Sequence, residues 1–208
     1  MIFELSAFAK KASFSAAALA MTAGLTASTA RADNLFAALF EGRSIAAQAE
    51  GARLGREYPT STRTLVEDPT GAQPGTITVD TPNRHLYLSL PDGRAIRYGV
   101  GVGRQGFAWT GRTHIGRKEA WPDWTPPAAM LKRRPDLPRH MEGGENNPLG
   151  ARAMYLYSGD RDTMFRIHGS NEPWTIGHAV SSGCIRMLND DVADLFDRVP
   201  VGATVVVL

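Results

Sequence analysis

From His85 to Leu90 the chain alternates, His-Leu-Tyr-Leu-Ser-Leu, and Pro91-Asp92-Gly93 follows directly. Period-two patterning puts Leu86, Leu88 and Leu90 on one face of an extended segment, the mark of a strand with a buried side. The tripeptide after it is hairpin chemistry: Pro fixes φ, Asp bonds its own backbone, and Gly accepts φ > 0. Ala95 to Val102 is then the return strand, with glycines that mark bulges or close backbone approach. A chain that commits to this hairpin commits to a sheet.

The same texture runs from Thr76 onward. Thr76–Val79, Thr113–Gly116, Ala153–Tyr157 and Met164–His168 are further strand candidates, and Ala203–Leu208 closes the chain as a buried strand. One helix is well marked: Asn189 can cap it, Asp190 and Asp191 suit the positive end of its dipole, and Val192, Leu195, Phe196 and Val199 form one stripe. Pro200-Val201-Gly202 stops it. The expected fold is mainly β with one or two helices (α+β), and its domain covers residues 76–208.

Before that domain the composition changes. Lys10 and Lys11 precede an uncharged, Ala-rich run from Ala12 to Leu25, and Ala30-Arg31-Ala32 supplies the small residues that a signal peptidase reads. Residues 1–32 are therefore expected to be a signal peptide cut before Asp33, with an uncleaved anchor as the alternative. Export makes the periplasm the expected compartment, without stable membrane insertion after cleavage. Leu35, Phe36, Leu39 and Phe40 fit one face of a short helix, and Glu57–Gly75, rich in Thr, Pro, Gly and charge, reads as a linker. Residues 33–75 are thus an N-terminal helix and linker. A net charge of +2, with no dense Lys/Arg block, makes nucleic acid an unexpected partner.

A segment of different character lies inside the domain. Trp121–Pro127 and Gly143–Gly150 flank a possible helical turn at Ala128–Arg134. An excursion of this length is a candidate wall or lid for a cleft, or a rigid surface excursion.

The chemistry centres on Cys184, the one thiol of the chain, in Ser181-Ser182-Gly183-Cys184-Ile185-Arg186, with His168-Gly169 upstream. A lone thiol in an exported protein cannot pair within its own chain, so it is a nucleophile or a small core residue. Acyl transfer through sulfur needs a deprotonated thiol, a proton acceptor and donors for the developing oxyanion. A small-residue run can turn tightly and aim backbone N–H groups into one space, and Gly183 lets a carbonyl approach closely. By spacing alone the same residues fit a buried filler cysteine and a core histidine with its bonds satisfied.

His168-Gly169, a variable stretch and Ser181–Arg186 resemble the signature of the L,D-transpeptidase catalytic domain, or YkuD, family. Tyr98–Gly103, Trp121–Pro127, Asn147–Gly150 and the helix after the cysteine are similar to the Gram-negative exported branch of that family, so the resemblance covers residues 76–208. It implies an L,D-transpeptidase-like β-sandwich of mixed sheets with a helix next to the cysteine and a lid-like insertion. It implies Cys184 as nucleophile, His168 as general base and acid, and the backbone around Gly183 and Cys184 as oxyanion site. Arg186, Ser182, Gly169 and Trp124 are expected beside the substrate, with a structural salt bridge as the other role for Arg186. Many members carry a second histidine where this chain has Ser182, which leaves that histidine's role without a counterpart; His178 is expected to be a loop residue.

The implied substrate is a peptidoglycan stem tetrapeptide, attacked at the diaminopimelate carbonyl with release of D-alanine. The acyl group then passes from a thioester to a second diaminopimelate as a 3→3 cross-link, to an envelope protein, or to water as in an L,D-carboxypeptidase. No cofactor and no metal are implied, and His85, His114 and His140 have no metal-ligand spacing. Two other classes compete: a catalytically silent wall-binding module, and a thiol redox protein, which the absence of a second cysteine disfavours.

Overall fold

A computed structural model describes residues 58–208, so the expected signal peptide and the helix near Asn34–Ala49 lie outside the described residues. Eleven strands, two α-helices and a 3-10 turn follow in the order β1 (Thr64–Glu67), β2 (Ile77–Asp80), β3 (His85–Ser89), β4 (Arg94–Gly99), β5 (Val102–Gly103), β6 (Gly111–Ala120), α1 (Ala128–Arg133), β7 (Arg152–Ser158), β8 (Arg161–His168), the turn Pro173–Thr175, β9 (Ala179–Ser181), β10 (Ile185–Arg186), α2 (Asn189–Arg198) and β11 (Thr204–Val207). Nine strands form one mixed sheet in the order β1-β4-β3-β2-β11-β6-β7-β8-β10, and β5 and β9 make a separate two-stranded ribbon. The expected mainly β architecture with two helices and mixed pairing is therefore found. Its strands gather into one large sheet and a ribbon.

The hairpin chemistry is realised. Gly93 has φ 76°, and Leu90 N–H donates to the Arg94 carbonyl at 2.8 Å to close the turn between β3 and β4. Leu86 and Leu88 reach the core as the alternation requires, but the other face of β3 is covered too: Ser89 is only 1% exposed. The Asp68–Gly75 loop lies over it, and Gly75 N–H donates to the Ser89 carbonyl.

That loop belongs to a stretch read above as linker. Instead of a spacer, residues 61–67 are part of the fold. β1 pairs antiparallel with β4, from Thr64 opposite Arg97 to Glu67 opposite Arg94. The cause lies far along the chain: Asp191, fully buried in the first turn of α2, accepts hydrogen bonds from Ser61 Oγ, Thr62 N–H and Thr62 Oγ1. A buried carboxylate without such donors would cost several kcal/mol, so burial of Asp191 holds the segment down.

α2 lies between β10 and β11 in sequence and packs on β7, burying Val192 and Leu195 in a core with Ile77, Leu86, Ile115, Leu156 and Ile167. Full burial of one such side chain contributes about 1.5–3 kcal/mol. Its far end is held from the sheet, where Lys118 Nζ donates to the Phe196 and Val199 carbonyls, two orphan acceptors of the last turn. At its start, the N-cap is Leu188 and not Asn189. Asn189 Oδ1 instead accepts from Ala151 N–H at 3.0 Å and Ser170 N–H at 3.2 Å, bolting the helix to two loops.

Candidate active site

β8 and β10 run parallel, with Ile167 opposite Ile185 and His168 opposite Arg186. The same register puts Cys184 beside Arg166. Ile167 and Ile185 point into the core, so by period-two alternation Arg166, His168, Cys184 and Arg186 share the other face. Standard strand spacings put the Cα atoms of Cys184 and His168 roughly 8 Å apart on a diagonal, within reach of their side chains. Among the described residues the thiol and the imidazole share no hydrogen bond.

The imidazole is nonetheless held. His168 is 4% exposed and its Nδ1 sits 2.6 Å from the Gly169 carbonyl oxygen. A carbonyl only accepts, so Nδ1 carries the hydrogen and Nε2 keeps a free lone pair. Gly169 N–H in turn donates to the Arg152 carbonyl. Gly169 thus orients the histidine through its carbonyl.

Burial, then the nearby Arg186 and Arg166 charges, push the His168 pKa down to about 3, against the Gly169 bond that raises it. Cys184 is half-buried, and loss of solvent likewise pushes its thiol up, opposed by the Arg166 backbone N–H and the Arg166 and Arg186 charges. Both groups therefore rest neutral, as thiol and imidazole, and not as an ion pair.

The turn before the sulfur is pinned by Ser181. Its Oγ donates to the Cys184 carbonyl at 2.6 Å and accepts the Gly183 N–H at 3.1 Å. This shifts the oxyanion expectation for Gly183: its own N–H is committed to Ser181. The Cys184 N–H has no partner among the described residues and remains available. Gly183 has φ 110°, and a Cβ there would fall 2.4 Å from Phe165 Cε1, so the position excludes any side chain.

An aromatic bracket that sequence reasoning missed surrounds the turn. Trp109 Nε1 donates to the Gly183 carbonyl at 2.9 Å, and the Trp109 ring stacks on Phe165 at 4.6 Å. Arg104 and Arg133 lie over the Phe107 ring, so α1 of the insertion reaches the neighbourhood of Gly183. No local pattern marks Trp109, because its partner lies 74 positions away.

The other expected residues divide. Arg186 Nη1 is 2.7 Å from Glu172 Oε2 and also faces Thr175, so it forms the structural bridge that was the second expectation for it, while its charge bears on His168 and Cys184. Ser182 is half-buried beside the turn. Trp124 is fixed in the insertion by paired backbone bonds with Met141, and no hydrogen bond or ring contact among the described residues ties it to Cys184 or His168. The insertion itself is organised by buried Asn147, whose Nδ2 donates to the Pro122 and Glu142 carbonyls. Its helical turn at Ala128–Arg133 lies where the sequence put it. Among the described residues no group of three or more His, Cys, Asp or Glu could hold a metal ion, and no helix is long and apolar enough to cross a membrane.

The YkuD family model, described as the L,D-transpeptidase catalytic domain, matches residues 74–207. The Probable L,D-transpeptidase ErfK/SrfK of Escherichia coli K12 is 36% identical over 141 residues, which are 64% of this chain and 43% of that protein. The Probable L,D-transpeptidase YbiS of the same strain is 38% identical over 114 residues, 51% of this chain and 35% of that protein. The chain thus matches less than half the length of these curated relatives. Among solved structures, one from Brucella melitensis described as a probable carnitine operon oxidoreductase is 44% identical, covering 77% of this chain and 99% of that one with a TM-score of 0.49. An L,D-transpeptidase from Mycobacterium smegmatis is 20% identical, covering 64% and 58%, also with a TM-score of 0.49.

Proposed function

This chain belongs to the YkuD family of L,D-transpeptidase catalytic domains, and on that premise we propose that it is an exported cysteine acyltransferase acting on peptidoglycan stem peptides in the periplasm. The observation that supports the reading is the parallel pairing of β8 with β10, which brings His168, at the end of β8, near Cys184, directly before β10.

Cys184 is the nucleophile and His168 the base. As Sγ attacks the carbonyl carbon of diaminopimelate in a donor tetrapeptide, the thiol proton passes to His168 Nε2. The Cys184 N–H donates to the oxyanion. A proton transfer timed with attack suits a thiol held above its ordinary pKa. The imidazolium so formed is buried beside Arg166 and Arg186 and is short-lived. It gives its proton to the departing nitrogen as the carbon–nitrogen bond breaks, and D-alanine leaves. A thioester on Cys184 remains.

An acceptor amine then attacks the thioester and loses a proton to His168, and the cysteine leaves as the thiol. A stem-peptide amine gives a 3→3 cross-link, an amine of an envelope protein gives a wall-anchored protein, and water gives a shortened stem. Purified protein incubated with a disaccharide-tetrapeptide should release D-alanine, with mass spectrometry of the products separating these three outcomes. Binding without release would leave a silent wall-binding module as the reading. The thioester route also predicts a covalent adduct with a carbapenem-type β-lactam in intact-mass measurement. The Cys184→Ala variant should lack it, and an adduct on that variant would refute the assignment.

A further inference from the structure

A groove of about 500 Å³ opens beyond the ends of β8 and β10, bordered by Tyr58, Trp121, Asn146, Asn171, Trp174 and Asp190. Neither Cys184 nor His168 lines it. Two other lining residues, Ser170 and Leu188, follow His168 by two positions and Cys184 by four. Strand spacing puts the groove on the order of 10 Å from the sulfur.

Its walls have a consistent chemistry. The Tyr58 and Trp174 rings lie 6.3 Å apart and open at 48° to each other, a cradle with two apolar faces. Trp121 adds a third ring, 44% exposed and held at φ 46°, a left-handed conformation that costs a bulky residue on the order of 1–3 kcal/mol. The Trp121 carbonyl rests on Gly143, where a Cβ would fall 1.9 Å from its oxygen, so the turn that presents this ring requires glycine beneath it. The amides of Asn146 and Asn171 and the carboxylates of Glu145 and Asp190 also line the groove, and among the described residues no Lys, Arg or His does. Among the described residues a phosphate or carboxylate would find no cation here. An uncharged ring with apolar C–H faces, and hydroxyl and amide groups at its edge, finds both kinds of partner.

We propose that this groove is a subsite for the glycan strand, taking N-acetylated hexosamine units against Trp174 and Tyr58 and their polar edges on Asn171, Asn146, Glu145 and Asp190. The proposal rests on the stem-peptide reading. Three stem residues separate the carbonyl that reacts from the sugar, and extended they span on the order of 10 Å, the same order as the strand-spacing distance from the sulfur to the groove.

Calorimetric titration of the full chain with glycan strands stripped of peptide tests it directly. Wild type should bind, Trp174→Ala should weaken binding tenfold or more, and Trp121→Ala, at an exposed position, should weaken it at least threefold, thermal melting confirming that each variant is folded. No binding by wild type overturns the proposal, as does an unchanged Kd in the folded variants. In turnover, kcat/KM for D-alanine release should favour disaccharide-tetrapeptide over bare tetrapeptide by about tenfold, and Trp174→Ala should bring the ratio toward one. Glycan binding that the variants lose, with neither substrate turned over, would sink the stem-peptide reading while keeping the glycan site. Turnover of both substrates at equal rates, without glycan binding, would do the reverse.

Discussion

Burial acts on Cys184 and His168 in opposite directions, raising the thiol and lowering the imidazole until neither is charged near neutral pH. Alkylation of Cys184 by iodoacetamide should therefore rise with pH to a midpoint above the ordinary thiol value of about 8.5; a midpoint below 8 would mean a resting ion pair instead. His168 also leaves a mark on stability. Its folded pKa lies below that of an unfolded histidine, so between about 6.5 and 3 the unfolded chain binds the extra proton. Stability should fall as pH drops through that window. His168→Gln should flatten the dependence of Tm on pH between 6.5 and 4, and an unchanged slope would show that the imidazole is not buried neutral.

At the scale of elements, side chains that bridge loops hold the site more than regular structure does. Asn189 Oδ1 is the shared acceptor for Ala151 and Ser170, one at the exit of the insertion and one two residues past His168. Asn189→Ala should cost about 1–3 kcal/mol, read as a lower Tm, because two amides lose their acceptor. Ser181→Ala should free the Gly183 N–H and release the Cys184 carbonyl, lowering kcat for D-alanine release by about tenfold or more with little change in KM; an unaltered kcat would deny that this hydroxyl shapes the turn. The hairpin, the strands through Met164–His168, α1 and the apolar stripe of α2 were legible because each is written in local periodicity or turn chemistry. β9 and β10 were not, being two or three residues long and defined only by pairing. Asn189 was misread because capping is a local expectation, whereas its real partners are 19 and 38 positions away. Gly183 was legible as a place of close approach, yet its bond to Ser181 was not.

For the molecule as a whole, residues 58–67 close the fold from outside. Ser61 and Thr62 satisfy Asp191, Thr62 Oγ1 accepts the Gly99 N–H, and Arg63 pairs with Asp194, which also accepts from Tyr98 Oη and Arg198. A composition rich in Thr, Pro and charge reads as linker because the carboxylate that recruits it lies some 130 residues downstream. A chain starting at Thr76 should lose β1, strand Asp191 without donors, and melt well below the chain that keeps residues 58–75. Equal melting temperatures would mean that the strap contributes nothing. The Arg198 bond and the Tyr98 hydroxyl hold the Asp194 carboxyl down to about 2 from an ordinary 3.8. Its contribution is complete above pH 3.8 and is lost as pH falls toward 2, so Asp194→Asn should reduce the acid sensitivity of folding in that range.

β10, the strand after Cys184, is two residues long, yet it is gripped on both sides: β8 takes the Met187 N–H, and Gly101 exchanges two backbone bonds with Arg186. Short strands breathe, and these few bonds are the ones that an acyl group on the adjacent sulfur would strain or relieve. Deuterium uptake at Arg186 and Met187 should therefore differ between the free enzyme and the thioester, following turnover on the enzyme without a label on the substrate.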